Sequence, residues 1–308
     1  MSSQPLLVIL GPTASGKTKL AVQVARALDG EIISADSRQV FKGMDIGTGK
    51  DLSEYTSDGT PVQYHLIDHL EAGSRYQVDA FQNDFYHSII DITSRSKQPI
   101  LCGGTGMYIH SLLQQHEFTA IPVNPSLREE LLQLDQEELQ LRLNQYPEVL
   151  RQQADQSTVK RLIRAIEIAA FLNEHPMPKK ERPALKPLVI GLDLPVDLRR
   201  ARIAKRLDER LDAGLVQEVE QLLKQGVTRE MLVFYGLEYK FVIAYLDGEF
   251  SYGQFRERLY NAICQFAKRQ MTFFRKMEKD GVAIHWLSAE SSSLKKEVIA
   301  LFKAVFPG

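Results

Sequence analysis

An eight-residue stretch near the start of the chain decides the fold: Gly11-Pro12-Thr13-Ala14-Ser15-Gly16-Lys17-Thr18. It matches G-x-x-x-x-G-K-[ST], the pattern of a phosphate-binding loop that joins a strand to a helix. The apolar run Leu6–Leu10 precedes it, and Thr18–Leu28 follows with apolar residues at helical spacing. A glycine-rich turn with an incidental lysine is the alternative, but these flanks favour a P-loop.

The residue types of this loop suit a phosphorylated ligand. Its glycines let backbone N–H groups surround phosphate oxygens, and the helix N-terminus adds positive partial charge. Lys17 supplies a point charge, and the Thr18 hydroxyl is the expected Mg²⁺ ligand. Because kinases, ATPases and GTPases share the motif, it predicts a ligand with at least two phosphates but does not define the reaction.

Other apolar runs that end in turn residues predict further strands, at Glu31–Ser34, Leu66–Ile67, Pro99–Cys102 and Leu188–Leu192. Helix-period segments lie between most of them, an alternation typical of α/β proteins. The predicted fold is therefore a P-loop NTPase-like parallel sheet flanked by helices. Near the carboxyl end we expect helices over Leu198–Gln225 and Tyr252–Lys279, with an edge strand at Ala283–Leu287.

Residues 118–187 interrupt this pattern. Strand signals are absent from that segment, and its prolines cluster toward both ends. Amphipathic helices are expected at about Pro125–Leu143 and Ser157–Leu172. We therefore predict an α-helical insertion at 118–187 in a core domain formed by 1–117 and 188–308.

The formal net charge is only −1, but positive charge is concentrated in two windows. Residues 160–210 contain 13 Lys or Arg against 7 Asp or Glu, and residues 256–279 contain 7 against 2. Solvated helix faces would explain one such window. Two of them favour a basic surface of the kind that binds nucleic acid.

Composition excludes several classes of protein. Cys102 and Cys264 stand far apart, so neither a disulfide framework nor a zinc site is expected. No run approaches the roughly 20 apolar residues that span a bilayer, and the amino terminus lacks a basic leader. We expect a cytoplasmic protein with no membrane partner.

Five motifs together resemble the tRNA dimethylallyltransferase family, also called the tRNA isopentenyltransferase family. They are GPTASGKT at 11–18, DSRQVFKGMDIGT at 36–48, YHLIDHL at 64–70, GGTGMYI at 103–109 and AKRQMTFFR at 267–275. They occur in the family's order over nearly the whole chain.

The resemblance implies transfer of a dimethylallyl group from dimethylallyl diphosphate to N6 of the adenosine 3′-adjacent to the anticodon in tRNA, with release of diphosphate. The implied partners are the anticodon stem-loop and the donor, and we expect a monomer.

Asp36 is the predicted general base. It follows an apolar run, so it should reach the carboxyl edge of the sheet beside the P-loop. From position alone, a cap of the following turn or an Mg²⁺ ligand fits equally well. The resemblance favours a base that accepts a proton from the adenine amine, which is a weak nucleophile.

Thr105 and Lys17 complete the implied catalytic set. Thr105 follows the apolar run Pro99–Cys102, and the resemblance places it near the reacting adenine. Its alternative role is to cap a helix that begins near Met107. Lys17 would neutralise charge on the leaving diphosphate.

The resemblance also implies two binding sets. The diphosphate set is Gly11, Thr13, Ala14, Ser15, Gly16, Lys17, Thr18, Arg202 and Arg206. The tRNA set is Asp36, Ser37, Arg38, Gln39, Arg128, Lys160, Arg161 and Arg164. Arg269 and Gln270 either line the channel or belong to an amphipathic helix, and the sequence leaves both readings open.

Three segments depart from the family pattern: Gly47-Thr48-Gly49-Lys50-Asp51, Ala154-Asp155-Gln156-Ser157 and Glu238-Tyr239. They bear on local tRNA contacts rather than on the donor site. Three other functions remain as alternatives. They are a small-metabolite or nucleotide kinase, a prenyltransferase that acts on free AMP or ATP, and a non-catalytic tRNA-binding P-loop protein.

Overall fold

A computed structural model describes residues 3–57, 59–114, 117–151, 156–177 and 182–307. The chain forms two compact units, one of 1–114 with 183–308 and one of 115–182. The second unit corresponds to the predicted insertion. It begins at 115 instead of 118 and ends at 182 instead of 187. The departure from the family pattern at Ala154-Asp155 lies outside the described residues.

Six strands in the described ranges form one sheet: β1 Gln4–Leu10, β2 Gly30–Ser34, β3 Tyr64–His65, β4 Gln98–Gly103, β5 Leu185–Asp193 and β6 Ile284–Ser288. All neighbours pair in parallel, in the order β3-β2-β4-β1-β5-β6. The central strand β1 therefore ends between the ends of β4 and β5. This order confirms the predicted α/β class and brings several strand ends to one edge.

The described ranges contain fourteen α-helices: α1 Lys17–Leu28, α2 Ser53–Thr56, α3 Val78–Ser94, α4 Gly106–Leu113, α5 Pro125–Leu131, α6 Gln136–Asn144, α7 Glu148–Arg151, α8 Val159–Glu174, α9 Val196–Asp212, α10 Leu215–Lys224, α11 Arg229–Tyr235, α12 Leu237–Leu246, α13 Tyr252–Lys279 and α14 Leu294–Val305. A 3-10 turn covers Glu117–Ala120. No helix in the described part of the chain is both long and apolar enough to cross a bilayer.

Both faces of the sheet are covered, because successive side chains of a strand point to opposite faces. Leu6, Val8 and Leu10 of β1 join the cluster that includes α3, α4 and α13. Leu7 and Ile9 join the opposite cluster with α1 and α14. A third apolar cluster packs α9 to α13 around the fully buried side chains of residues such as Tyr239, Phe255 and Leu259.

Several element boundaries differ from expectation for local reasons. The helix predicted over Leu198–Gln225 breaks into α9 and α10 at Gly214, whose φ of +101° ends the first helix. The helix predicted over Pro125–Leu143 also splits, because Asp135 forms a capping box that starts α6. Leu66–Ile67 follows β3 instead of forming it, since Leu66 has a positive φ of 62°.

The insertion has its own apolar core. Leu131, Leu139, Leu143, Leu162 and Ile166 are buried in one cluster. Because α5, α6 and α8 each contribute to it, the unit resembles a small helical domain. β5 begins at Leu185, three residues before the predicted strand, so the core domain resumes earlier than expected.

Candidate active site

The P-loop follows β1 and turns sharply into α1. Ala14 and Gly16 have positive φ values of 62° and 83°, and Lys17 is the first helical residue. A Cβ at Gly11 would lie 2.7 Å from the Ser15 hydroxyl oxygen, so the loop requires glycine there. Ser15 Oγ is buried and has no hydrogen-bond partner in the described part of the chain. These features leave backbone N–H groups and one unpartnered hydroxyl inside the loop.

A cavity of about 290 Å³ lies beside this loop. Its polar lining includes Thr13, Lys17, Thr18, Asp36, Ser37, Arg38, Gln39, Thr48, Thr105, Arg206, Arg210, Glu238, Arg269 and Gln270. Its apolar lining includes Met107, Leu237, Ile263, Phe266 and Phe273. Of the P-loop residues in the predicted diphosphate set, Gly11, Ala14, Ser15 and Gly16 form the turn without lining this cavity. One chamber therefore offers cations, two carboxylates and an apolar surface.

Asp36 lies just beyond β2 and is half-buried at the cavity wall. Its Oδ1 accepts hydrogen bonds from the backbone N–H groups of Arg38, at 3.0 Å, and Gln39, at 3.4 Å. One carboxylate oxygen of Asp36 therefore caps the turn that follows it. Oδ2 makes no hydrogen bond to any described residue. Capping orients the carboxylate and leaves its second oxygen available for chemistry.

Thr105 does not cap α4 with its side chain, although it occupies the N-cap position. Instead its Oγ1 accepts a hydrogen bond of 3.1 Å from the Ser37 N–H, and its own N–H donates to the Ala35 carbonyl at 3.1 Å. A Cβ at Gly103 would collide with that same carbonyl. The ends of β2 and β4 are therefore fastened together, and the Thr105 hydroxyl proton stays free to donate.

Gln270, whose role the sequence leaves open, bridges two loops. Its Oε1 accepts a bond of 2.9 Å from the Thr13 N–H, and its Nε2 donates at 2.9 Å to the Gly104 carbonyl. The side chain is buried, and a Cβ at Gly104 would collide with it. Arg269 also lines the cavity and lies 5.9 Å from the centre of the Phe266 ring. α13 thus positions the P-loop against the 103–106 turn.

Two arginines of α9 line the cavity, but they are not the predicted pair. Arg206 donates to the Gly49 carbonyl at 3.3 Å and pairs with Asp51. Arg210, one turn further along, lies 3.5 Å from Glu238. Arg202 is outside the cavity lining. Helical spacing from Arg206 was the signal that could have identified Arg210.

The burial of Lys17 and Arg210, and their repulsion from Arg206, favour the binding of an anion in this chamber. Burial lowers the pKa of Lys17, with the Asp36 carboxylate opposing that shift and Arg206 adding to it. Burial also lowers the pKa of Arg210, and repulsion from Arg206 acts in the same direction. A multiply charged anion among these three cations would favour their charged forms.

The loop that follows Asp36 is only partly available to a substrate. Gln39 accepts from the Ser34 hydroxyl at 3.0 Å and donates to the Gly49 carbonyl at 3.0 Å, so its amide is engaged within the protein. Arg38 packs against Gly236, where any Cβ would collide with the guanidinium. Ser37 and Arg38 nevertheless line the cavity with Asp36.

Glu218 holds the cavity wall in a way that the sequence does not signal. Its carboxylate accepts from the N–H groups of Asp45 at 2.8 Å, Ile46 at 2.6 Å and Gly47 at 3.0 Å. The Tyr239 hydroxyl donates a fourth bond at 2.8 Å. Because Gly47, Thr48 and Gly49 line the cavity, this carboxylate fixes one of its walls.

Lys50 secures the same loop from within the protein. Its ammonium is buried and donates to Asp45 at 2.5 Å, to Asp68, and to the Phe41 carbonyl at 2.7 Å. A buried charge with three acceptors is fully compensated. The segment 45–50 is therefore fixed on both sides.

The four residues of the insertion that belong to the predicted tRNA set have different surroundings. Arg128 forms a two-pronged ion pair with buried Glu167, at 2.9 and 2.6 Å. Arg164 also contacts Glu167, at 3.3 Å, and donates to the carbonyl groups of Phe118 and Ile121. These two guanidinium groups are committed to the insertion's own structure.

The other two residues of this predicted set, Lys160 and Arg161, are exposed. Arg161 donates to the Ser157 hydroxyl at 2.8 Å. Lys160 makes no hydrogen bond or ion pair to the residues that the structure describes. These exposed groups are the ones that a phosphate backbone could reach.

The fold and the cavity define a P-loop α/β enzyme. The chain belongs to the IPP transferase family, whose sequence model matches residues 39–277. The tRNA dimethylallyltransferase 2 of Syntrophotalea carbinolica is 50% identical over 290 residues, which cover 94% of this chain and 96% of that protein. The tRNA dimethylallyltransferase 2 of Porphyromonas gingivalis W83 is 49% identical over 284 residues, covering 92% and 94%.

Solved structures give the same result. The tRNA isopentenylpyrophosphate transferase of Bacillus halodurans matches with a TM-score of 0.71 and 30% identity, covering 98% of this chain and 96% of that one. A eukaryotic dimethylallyltransferase acting on tRNA matches with a TM-score of 0.74, covering 94% and 75%. At 23% identity, this second likeness concerns the fold alone.

Proposed function

We propose that this enzyme transfers a dimethylallyl group from dimethylallyl diphosphate to N6 of the adenosine 3′-adjacent to the anticodon in tRNA, releasing diphosphate. One observation carries the proposal: Asp36 lines the same chamber as the P-loop side chains Lys17 and Thr18. A leaving anion and a group able to accept a proton are thereby within reach of one small substrate. The relatives' names agree with this reaction.

The donor's diphosphate binds against the P-loop. Lys17, Arg206 and Arg210 supply positive charge where negative charge develops as the C1–O bond breaks. The dimethylallyl chain lies against the apolar wall that includes Phe266 and Phe273. A donor with one strongly anionic end and one apolar end matches this lining better than a nucleoside polyphosphate does.

The residues present fit a magnesium ion. Mg²⁺ usually keeps several waters and takes few protein ligands in addition to substrate phosphates. The described residues contain no cluster of three or more His, Cys, Asp or Glu side chains that could form a protein cage. The Thr18 hydroxyl would hold the ion together with the diphosphate oxygens. When bound, Mg²⁺ would offset charge on the leaving group.

The protein's own residues then handle one proton. The adenine N6 forms a bond to C1 of the donor while the C1–O bond breaks and its electron pair leaves with diphosphate. The N6 proton passes to Oδ2 of Asp36, whose Oδ1 stays fixed by the Arg38 and Gln39 N–H groups. The Thr105 hydroxyl donates toward the purine and holds it beside the carboxylate.

The tRNA substrate must present an unstacked base, because the chamber is too small for a duplex. Ser37 and Arg38 meet that nucleotide at the cavity wall. Lys160 and Arg161 contact the phosphate backbone from the exposed side of α8. We infer that the enzyme acts as a monomer in the cytoplasm, where tRNA is available.

The test supplies purified protein with Mg²⁺, dimethylallyl diphosphate and either unmodified tRNA or AMP, followed by mass spectrometry of the nucleosides. We expect a prenylated adenosine from tRNA and none from AMP. A parallel reaction with ATP tests the kinase alternative. Prenylation of AMP alone, or ATP turnover without prenyl transfer, would overturn the proposal.

A further inference from the structure

A second cavity, of about 580 Å³, lies on the opposite face of α13 from the donor chamber. Phe266, Arg269 and Phe273 of that helix line the donor chamber, whereas Lys268, Thr272 and Arg275 line this groove. Its other side is the start of α9, which follows the carboxyl end of β5. The groove therefore belongs to the core unit and is separated from the P-loop by a helix.

Arg199 forms part of the groove and has no partner among the described residues. Only 9% of the residue is exposed, yet its guanidinium makes no hydrogen bond, ion pair or ring contact with any residue in the described ranges. Burying an unpaired charge is unfavourable, and proteins usually compensate it with an opposite charge. The missing counter-charge at Arg199 is the first indication that the groove takes a ligand.

The groove is basic on both sides. Arg200 on α9 and both Lys268 and Arg275 on α13 line it together with Arg199. Asp193 is the acidic residue in this lining, and its Oδ1 already accepts a bond of 2.9 Å from the Leu194 N–H. These cations come from the two basic windows of the sequence, which the fold brings together here.

The start of α9 adds a further positive element. This helix has 17 residues, and no side chain caps its N-terminus, where Pro195 precedes the first turn. Unpaired N–H groups at a helix N-terminus attract anions. Asp197 in the same turn reduces this effect but is exposed and does not line the groove. The helix end therefore reinforces the site that Arg199 marks.

We propose that this groove is a second anion site, independent of the P-loop, that binds a phosphate group. The planar guanidinium of Arg199 can donate two parallel hydrogen bonds to phosphate oxygens. Four cations line this groove, and that concentration of positive charge favours a multiply charged anion over a carboxylate. The phosphate comes from free inorganic diphosphate or from an RNA phosphodiester, two sources that share this chemistry.

Calorimetric titration with inorganic diphosphate tests the proposal without requiring any catalysis. We expect the wild-type protein to show two binding sites, Lys17→Met to lose the P-loop site, and Arg199→Met to lose the other. Methionine keeps the apolar packing of the arginine stem while it removes the charge. Lys205→Met is the matched control, because Lys205 is an exposed residue of the same helix and lines neither cavity.

Thermal melting and a second variant guard against a folding defect. In low salt without phosphate, Arg199→Met should melt at least as high as the wild type, because an unpaired buried charge is gone. Diphosphate should then raise its melting temperature less than it raises that of the wild type. Lys268→Met alters an exposed residue and should weaken the same site about tenfold, as expected for one charge-assisted contact.

A labelled anticodon stem-loop RNA distinguishes the two sources. If Arg199→Met weakens diphosphate binding at the second site and leaves RNA affinity unchanged, the ligand is the free anion. If RNA affinity falls and its salt dependence flattens, the ligand is an RNA phosphate. A single diphosphate site that is lost in Lys17→Met, with all affinities unchanged in Arg199→Met and Lys268→Met, would overturn the proposal.

Discussion

The backbone N–H of Ser37 donates a 3.1 Å hydrogen bond to the hydroxyl of Thr105, 68 residues further along the chain. This contact joins the segment that follows β2, which contains Asp36, to the turn that follows β4. The Thr105 oxygen is the acceptor in this bond, so the hydroxyl proton of Thr105 remains available to donate to another group. Thr105 can therefore link the position of the carboxylate to that of a bound purine.

Thr105→Val should lower turnover on tRNA by about 10- to 100-fold, because one partly buried hydrogen bond and the hydroxyl donor are lost. Thr105→Ser keeps the hydroxyl and should retain most of the activity. Single-turnover rates of the two variants check this. Equal rates would show that the hydroxyl contributes nothing to the reaction.

Glu218→Gln should raise the KM for the donor and cost about 1–3 kcal/mol of unfolding free energy. The reason is that an amide cannot accept all four hydrogen bonds that hold the 45–47 backbone and Tyr239. Denaturant unfolding and donor titration measure the two effects. Glu220→Gln, which alters an exposed residue of the same helix, serves as control and should change neither.

Lys160 and Arg164 should respond differently to alanine substitution. Arg164→Ala removes the bonds to Glu167 and to the Phe118 and Ile121 carbonyl groups, so it should loosen the insertion and speed its amide hydrogen exchange. Lys160→Ala should leave exchange unchanged and reduce the salt slope of tRNA binding by about 1. The reverse pattern would show that Arg164 is the phosphate contact.

Cys102 should resist alkylation in the folded protein. Burial raises the pKa of its thiol to about 12, so at pH 8.5 almost no thiolate is present. Cys264 is partly exposed and should react first. Mass spectrometry of peptides after timed iodoacetamide treatment checks the order, and faster labelling of Cys102 would contradict the buried environment beside Lys17.

The features that the sequence predicts well are those that depend on residues close together in the chain. The strand, loop and helix around the P-loop follow from glycine placement and apolar spacing. The helix Tyr252–Lys279 is found with the predicted bounds, and the edge strand lies within one residue of its prediction at each end. Asp36 and Thr105 reach one cavity because both follow buried parallel strands, whose carboxyl ends share an edge.

What the sequence could not predict depends on distant partners. Gln270 bridges Thr13 and Gly104, and Glu218 holds a loop more than 170 residues away in the chain, so neither contact has a local signature. From the sequence alone, Arg128 and Arg164 resemble exposed cations, because nothing in the sequence indicates that Glu167 is buried and pairs with both. A side chain's charge is visible in the sequence, but its partner is not.

The most direct measurement is the single-turnover rate of Asp36→Asn with dimethylallyl diphosphate and unmodified tRNA. Asparagine keeps an oxygen that can accept from the Arg38 and Gln39 N–H groups but cannot take up the N6 proton. We expect the rate to fall by ~10²–10⁴ with donor and tRNA affinities preserved, as for loss of a general base. Asp212→Asn, an exposed acid at the end of α9, should retain the full rate. An undiminished rate in Asp36→Asn would contradict the account.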